Sequence, residues 1–214
     1  MNRRGFFGSI ASFLEGYDTD RIFFGLQIVI NSYPGDTVVQ QLRTLAGAEK
    51  STKQETEEQK HSFYKNVIAL LLDNYAFWEY GYWDFIPKAD AAVEEFESWV
   101  TEIDAATATE GAELGEEIDG VFRMSRDKYY VVITLAFLQS SSLFTNNLQL
   151  LLEELPEDVY YAKDTFLQLC QRMNTIDFSY VERDAFFLVP GNDDDGFSWE
   201  DLHGGGWEYL HPIV

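Results

Sequence analysis

Residues 129–138 (YYVVITLAFL) are apolar almost throughout, and they constrain the fold more than any other segment. A short β-branched and aromatic run of this kind predicts a strand that is covered on both faces. Residues 21–32, 77–85 and 181–190 have similar β-branched or aromatic character and predict further strands. The chain is therefore expected to build a sheet in which residues 129–138 form a central strand.

Apolar residues recur at helical spacing between these strands, with polar residues on the opposite positions. The segments are residues 36–46, 60–74, 90–103, 148–155 and 159–173. The capping-box spacing of Ser198 and Asp201 predicts a short final helix. The order β-α-α-β-α-β-α-α-β predicts an α+β fold, a mixed or antiparallel sheet of about four strands with helices packed on it.

The length of 214 residues fits one domain, which we place at residues 21–214. We expect residues 1–20 to form an N-terminal amphipathic appendage. Within it, the apolar positions of residues 6–14 are expected to dock on the body of the protein rather than on a membrane. Residues 104–127 are rich in Ala, Thr, Gly and Glu at their start, and we predict a mobile acidic loop there, following a helix that ends at Ile103. Ser140 to Thr145 is predicted to be a second loop.

The charge balance excludes several classes of partner. Lys and Arg number 15 against 37 Asp and Glu, which gives a formal net charge of −22. Such a surface repels nucleic acid phosphates and anionic membranes, so neither is an expected partner. The acidity either serves solubility alone or indicates a basic protein partner, cation binding or a salty cytoplasm. No run of 18 or more apolar residues is present, so we expect no transmembrane segment and a cytoplasmic location.

The residues that usually carry catalysis are sparse. The sequence has no nucleotide-binding glycine motif, no paired cysteines and no serine-hydrolase or zinc-protease motif. The histidines are His61, His203 and His211, and no pattern positions any of them beside a nucleophile and an acid. Cys170 lies in an apolar helical stretch and is predicted to be a buried, inert thiol. We therefore predict no catalytic residues and favour a protein that is not an enzyme.

No cofactor or metal is predicted. Residues 192–196 (NDDDG) resemble part of a calcium-binding loop, but the template fails at Gly191 and Leu202, so an exposed turn is the better interpretation. The acidic side chains before residue 120 lack the rigid framework of a metal site. They are Glu113, Glu116, Glu117 and Asp119.

The aromatic segment 77–85 (FWEYGYWDF) is the most unusual feature. Strand alternation places Glu79 with Phe77, Gly81, Trp83 and Phe85 on one face, and the other three aromatic residues on the opposite face. The segment either packs into the core on both faces or presents a surface for a partner or ligand, because Tyr and Trp dominate binding hot spots. The candidate surface residues are Trp78, Glu79, Tyr80, Tyr82 and Asp84.

Several segments taken together resemble one family. They are Leu26-Gln27, Leu42 to Ala46, Val67 to Leu71 running into residues 77–82, residues 128–134 (KYYVVIT), and a strand ending at Pro190 followed by residues 198–202 (SWEDL). The pattern is similar to the family called domain of unknown function 1517, from cyanobacteria and chloroplasts. The chain departs from it at Asn74, where the family has a basic residue, and at residues 204–206 (GGG). The N-terminal membrane or transit segment that the family usually carries is also not recognised.

The resemblance implies an accessory role in photosynthetic physiology and carries over no catalytic residue. With the residues themselves, it favours a non-enzymatic binding or regulatory protein with a protein partner that is basic. The alternative is a small-ligand carrier or an enzyme with a carboxylate- and tyrosine-lined pocket beside residues 77–85. The sequence predicts no particular oligomeric state.

Overall fold

A computed structural model describes residues 21–31, 37–50, 56–113, 130–190, 197–204 and 206–214. Strands and helices alternate along the chain in the predicted order. The elements are β1 (Ile22–Asn31), α1 (Thr37–Lys50), α2 (Glu57–Asp73), β2 (Trp78–Ile86), α3 (Ala89–Glu113), β3 (Tyr130–Gln139), α4 (Leu143–Glu154), α5 (Lys163–Met173), β4 (Val181–Val189), α6 (Trp199–Gly204) and β5 (His211–Pro212).

The strands form one sheet in the order β4-β3-β1-β2-β5, and every neighbouring pair is antiparallel. The predicted α+β class is thus confirmed, and the sheet is antiparallel rather than mixed. The sequence predicts about four strands, and the fifth strand, β5, was not predicted. A strand of two residues is too short to show a hydrophobic period, so only its pairing with Tyr80 and Gly81 of β2 reveals it.

The first face of the sheet, defined here by alternate β1 residues from Phe24 to Ile30, packs against α1, α2, α4 and α5. Gly81 of β2 lets α5 approach closely. A Cβ atom at this position would lie 2.5 Å from the ring of Phe166, so any side chain would push α5 away from the sheet.

The second face carries the intervening β1 residues, among them Phe23 and Val29. It packs against one side of α3, through Phe96 and Trp99, and against the segment 197–210. Because both faces are covered, β1 is buried from Ile22 to Ile30 and β3 from residue 131 onwards, as the apolar run predicts.

Two predicted boundaries are wrong. The helix that was expected to end at Ile103 continues to Glu113, because Ala and Thr after Ile103 permit helix even though they add little apolar surface. The predicted loop of Ser140 to Thr145 contains the start of α4. Ser142 caps that helix by accepting from the Thr145 amide (3.3 Å), while its own amide donates to the Thr145 hydroxyl (2.8 Å).

Other predicted features lie outside the described residues. They are the appendage 1–20, the acidic loop from residue 114 to 127 and the turn at residues 191–196. Cys170 is buried as predicted, and burial raises the pKa of its thiol far above the ordinary range, which disfavours the reactive thiolate.

Candidate functional site

A β-bulge decides where the acidic side chain of the aromatic strand points. Val29 of β1 pairs with Tyr80, but Ile30 pairs with Trp78, so Glu79 is an extra residue on β2. Such a bulge re-aims the neighbouring side chains. Trp78 joins the first-face core with Trp83, and the Glu79 carboxylate reaches the second face. The alternation predicted from the sequence is therefore wrong for these two residues.

The Glu79 carboxylate is half-buried and accepts two hydrogen bonds. The Asn31 amide nitrogen donates to Oε1 at 2.6 Å, and the Tyr130 hydroxyl donates to Oε2 at 3.1 Å. Both donors are neutral, and no lysine or arginine among the described residues forms an ion pair with Glu79. A partly desolvated negative charge is thus held in place with no counter-charge from the described part of the chain.

The surroundings of Tyr130 favour its neutral, protonated form, which donates to the Glu79 carboxylate. Burial, together with the charge of Glu79 and the hydrogen bond to it, raises the pKa of Tyr130 to about 12. A tyrosine that serves as a general acid or base needs a pKa closer to the working pH. The pair is consequently better suited to holding a charge than to moving a proton.

Aromatic rings extend from this pair to the protein surface. The Tyr80 ring meets the Tyr130 ring edge-on at 6.2 Å and the His203 ring edge-on at 5.5 Å, and His203 stacks on Trp199 at 4.0 Å. Trp199 is 51% exposed, so part of its indole is open to solvent although it stacks on His203. We call Asn31, Glu79, Tyr80, Tyr130, Trp199 and His203 together the Glu79 surface.

Helix α6 positions the outer part of this surface. Trp199 and His203 are four residues apart and share one side of the helix, and His203 Nδ1 lies 2.8 Å from the Trp199 carbonyl oxygen. Trp207, after the helix, is buried with Phe197 against the second face and anchors the segment. The capping-box pattern of residues 198–201 correctly predicts this helix.

The residues proposed from the sequence separate into core and surface. Trp78 and Tyr82 are only 2% and 5% exposed, and Tyr82 packs between the Trp99 and Tyr209 rings, so both belong to the core. Glu79 and Tyr80 come together on the Glu79 surface. Asp84 lies half-buried further along β2, where its Oδ1 accepts from the Phe85 amide at 2.8 Å.

Asp84 influences a second tyrosine instead. Burial, and then the charge of Asp84, raises the pKa of Tyr161 to about 12. Tyr161 in turn stacks on His211 of β5 at 3.9 Å. His211 pairs with Gly81, so this second group of Asp84, Tyr161 and His211 lies beside residues 81–84 of β2.

The free edge of β2 is covered. The Ile213 amide donates to the Glu79 carbonyl at 2.8 Å, and Val214 exchanges backbone hydrogen bonds with Tyr161 and Lys163. Residues 211–213 therefore occupy the positions that an added strand would need beside residues 79–81.

Sequence reasoning did not identify Asn31, Tyr130, Trp199 or His203 as site residues. The four-residue spacing of Trp199 and His203 on a predicted helix indicates that the two side chains lie on one side of it. This spacing does not indicate which part of the sheet they contact. The contact with Tyr80 depends on how the segment after β4 folds back over the sheet.

The described part of the chain contains no cluster of three His, Cys, Asp or Glu side chains that could hold a metal ion. None of its helices is both long and apolar enough to cross a membrane.

Compared with protein-family models, curated proteins and solved structures, the chain has no significant match. The resemblance to domain of unknown function 1517, and the photosynthetic role that depends on it, therefore stay predictions.

Proposed function

We propose that this chain is a non-enzymatic binding protein that recognises a positively charged protein partner at the Glu79 surface. The observation that carries the proposal is the Glu79 carboxylate itself, which is half-buried, fixed by Asn31 and Tyr130, and without a counter-charge among the described residues. A preorganised acceptor of this kind binds a cation without first losing side-chain freedom.

Two further features support a protein partner. The net charge of −22 steers basic proteins towards the whole molecule and accelerates their encounter. Exposed Trp199, which is connected to half-buried Tyr80 through the ring of His203, supplies the aromatic contact area that protein interfaces favour. The raised pKa of Tyr130 makes proton-transfer chemistry at the same place unfavourable near neutral pH.

Titration of the chain with a short peptide of mixed lysine and arginine tests the proposal, with affinity measured by calorimetry at low salt. Glu79→Gln removes the charge and keeps the shape, and we expect about three- to tenfold weaker binding, the effect of one partly desolvated ion pair. The matched control is Glu153→Gln, which changes the net charge equally at an exposed position of α4, where Glu153 accepts a hydrogen bond from Gln149.

Equal weakening in the two variants would show that net charge alone attracts the peptide, and the proposal would then be wrong. Retention of full affinity by Glu79→Gln would exclude this surface as well.

One observation favours the alternative of a small-ligand carrier. Gln27 is fully buried on the second face, its amide nitrogen donates to the Thr134 hydroxyl at 3.0 Å, and its amide oxygen accepts from no donor among the described residues. A buried acceptor of this kind calls for a donor from water or from a ligand. Native mass spectrometry of the purified chain tests it: a small molecule that is retained by the wild type and lost in Gln27→Leu would support a carrier, and the bare mass would oppose it.

A further inference from the structure

The chain already binds one of its own arginines with an aromatic ring and a carboxylate. The Arg183 guanidinium carbon lies 4.6 Å from the centre of the Phe96 ring, and its Nη1 donates to Glu97. This arrangement is on the second face of the sheet, between β4 and α3. A guanidinium in such a place gains both a cation–π contact and an ion pair.

The Glu79 surface has the same two components, an aromatic ring and a carboxylate, and no arginine of the described residues pairs with this carboxylate. We infer that the partner supplies the arginine: the group recognised here is an arginine-rich protein segment whose guanidinium groups pair with Glu79 and stack on the exposed indole of Trp199. The inference depends on the proposed function and names the side chain that this surface selects.

The carboxylate suits a two-pronged donor. From the described residues each oxygen of Glu79 accepts one hydrogen bond, Oε1 from Asn31 and Oε2 from Tyr130, which leaves a second lone pair on each for a further donor. The guanidinium fork donates two parallel hydrogen bonds to a carboxylate, whereas an ammonium group acts as a point charge. Because Asn31 and Tyr130 fix both oxygens, little further ordering is needed when the fork arrives.

The tryptophan favours arginine over lysine. One face of the Trp199 ring is occupied by His203, which lies nearly parallel to it at 21°, and the ring is 51% exposed. A planar, weakly hydrated guanidinium stacks on such a face, whereas an ammonium group must give up stronger hydration. His203 also holds the indole, so it is a positioning residue for this contact.

A pair of peptides tests the inference: alternating arginine and glycine, and the lysine counterpart of equal length and charge. For the wild type we expect about three- to tenfold tighter binding of the arginine peptide. Trp199→Ala should bring this ratio close to one, and Trp199→Phe, which keeps a flat ring, should preserve most of it. The control is Tyr180→Ala, which removes a comparably exposed ring (45%) elsewhere and should leave the ratio unchanged.

The outcomes separate the two proposals. Equal affinity for both peptides, with loss of affinity for both in Glu79→Gln, would overturn the selection of arginine and leave the binding of basic partners standing. Affinities that do not depend on Glu79 would overturn both. A ratio that stays high in Trp199→Ala would also overturn the inference, since the indole would then contribute nothing to the preference.

Discussion

Two carboxylates on this sheet, Asp184 and Glu79, each accept a hydrogen bond from a tyrosine, but among the described residues only Asp184 pairs with a cation. On the first face, Tyr64 donates to Asp184 Oδ2 at 2.9 Å and Lys60 of α2 pairs with Oδ1. On the second face, Tyr130 donates to Glu79 at 3.1 Å, and the amide of Asn31 takes the place that lysine has in the other pair.

The difference distinguishes a charge that stabilises the fold, at Asp184, from a charge that can pair with a partner, at Glu79. The Asp184 side chain is 6% exposed and its lysine 33%, so the pair is mostly enclosed and ties α2 to the edge strand β4. Glu79 lies at the inner end of a row of aromatic side chains that extends to the protein surface. No lysine or arginine of the described residues forms an ion pair with it. A buried charge that keeps its own counter-ion serves the fold, whereas one that lacks it is suited to bind.

The largest expected effect is on stability at the structural pair. Asp184→Asn removes the charge that Lys60 balances and should lower the free energy of unfolding by about 2 kcal/mol, less than for a fully enclosed pair because Lys60 is partly exposed. Urea denaturation of Asp184→Asn, Lys60→Met and the double variant measures the coupling. If Asp184→Asn unfolds like the wild type, Asp184 is not the structural charge and the comparison fails.

A second prediction gives Glu79 the cation that it lacks. Asn31→Lys places an ammonium group next to the carboxylate, as Lys60 stands next to Asp184, and should weaken the binding of a basic peptide about tenfold, or 1.4 kcal/mol. The matched control, Asn31→Gln, keeps a neutral amide and should bind nearly as the wild type does. Unchanged affinity in a folded Asn31→Lys chain, verified by circular dichroism, would show that the peptide binds elsewhere.

A third prediction concerns the two tyrosines with raised pKa values. Because the pKa of Tyr130 in the folded chain is about 12 and the ordinary value is 10.0, the folded state holds its proton more tightly than the unfolded state. The resulting stability is complete below pH 10 and is lost as the pH rises from 10 to about 12. Tyr130→Phe should cost about 1 kcal/mol at neutral pH, for one hydrogen bond to a charged acceptor, and should make the alkaline loss smaller.

The measurement is the free energy of unfolding between neutral and alkaline pH, with the tyrosinate absorbance recorded in parallel. Tyr161 has a similarly raised pKa through burial and Asp84, so Tyr161→Phe should also reduce the alkaline loss. When Glu79→Gln is already present, Tyr130→Phe should reduce the alkaline loss of stability by less than it does in the wild type, whereas the effect of Tyr161→Phe should not change. If Tyr130→Phe has the same effect with and without Glu79→Gln, the contribution of Glu79 to the pKa of Tyr130 is contradicted.

Hydrophobic patterning predicts the elements of this fold well and the contacts of the Glu79 surface poorly. The strands β1, β3 and β4 and most helices follow from local runs, because each run buries its own apolar residues. The bulge at Glu79 does not, since it depends on how β2 aligns with β1 rather than on any residue in β2 alone. A shift of one residue moves a side chain to the other face, which is why the sequence misplaces Trp78 and Glu79.

The same limit applies to the rest of the site. Asn31 is the last residue of β1 and Tyr130 is the first residue of β3. Nothing in the local sequence distinguishes them from other polar residues at strand ends. Their meeting with Glu79 requires the antiparallel register that sets Asn31 opposite Tyr130. The aromatic richness of residues 77–85 correctly draws attention to the strand, and tertiary packing then assigns Tyr82 to the core and Tyr80 to the surface.

The smallest expected effect is also the sharpest test of the comparison. Glu79→Gln should leave the free energy of unfolding within about 0.5 kcal/mol of the wild type, whereas the equivalent Asp184→Asn costs several times more. No lysine loses its partner in Glu79→Gln, and the new amide can donate to the Asn31 oxygen, which now accepts from no donor among the described residues. Urea denaturation of the two amide variants side by side measures the difference. A large loss of stability in Glu79→Gln would mean that this carboxylate also serves the fold, and weaker peptide binding by the variant could then no longer be assigned to the missing charge.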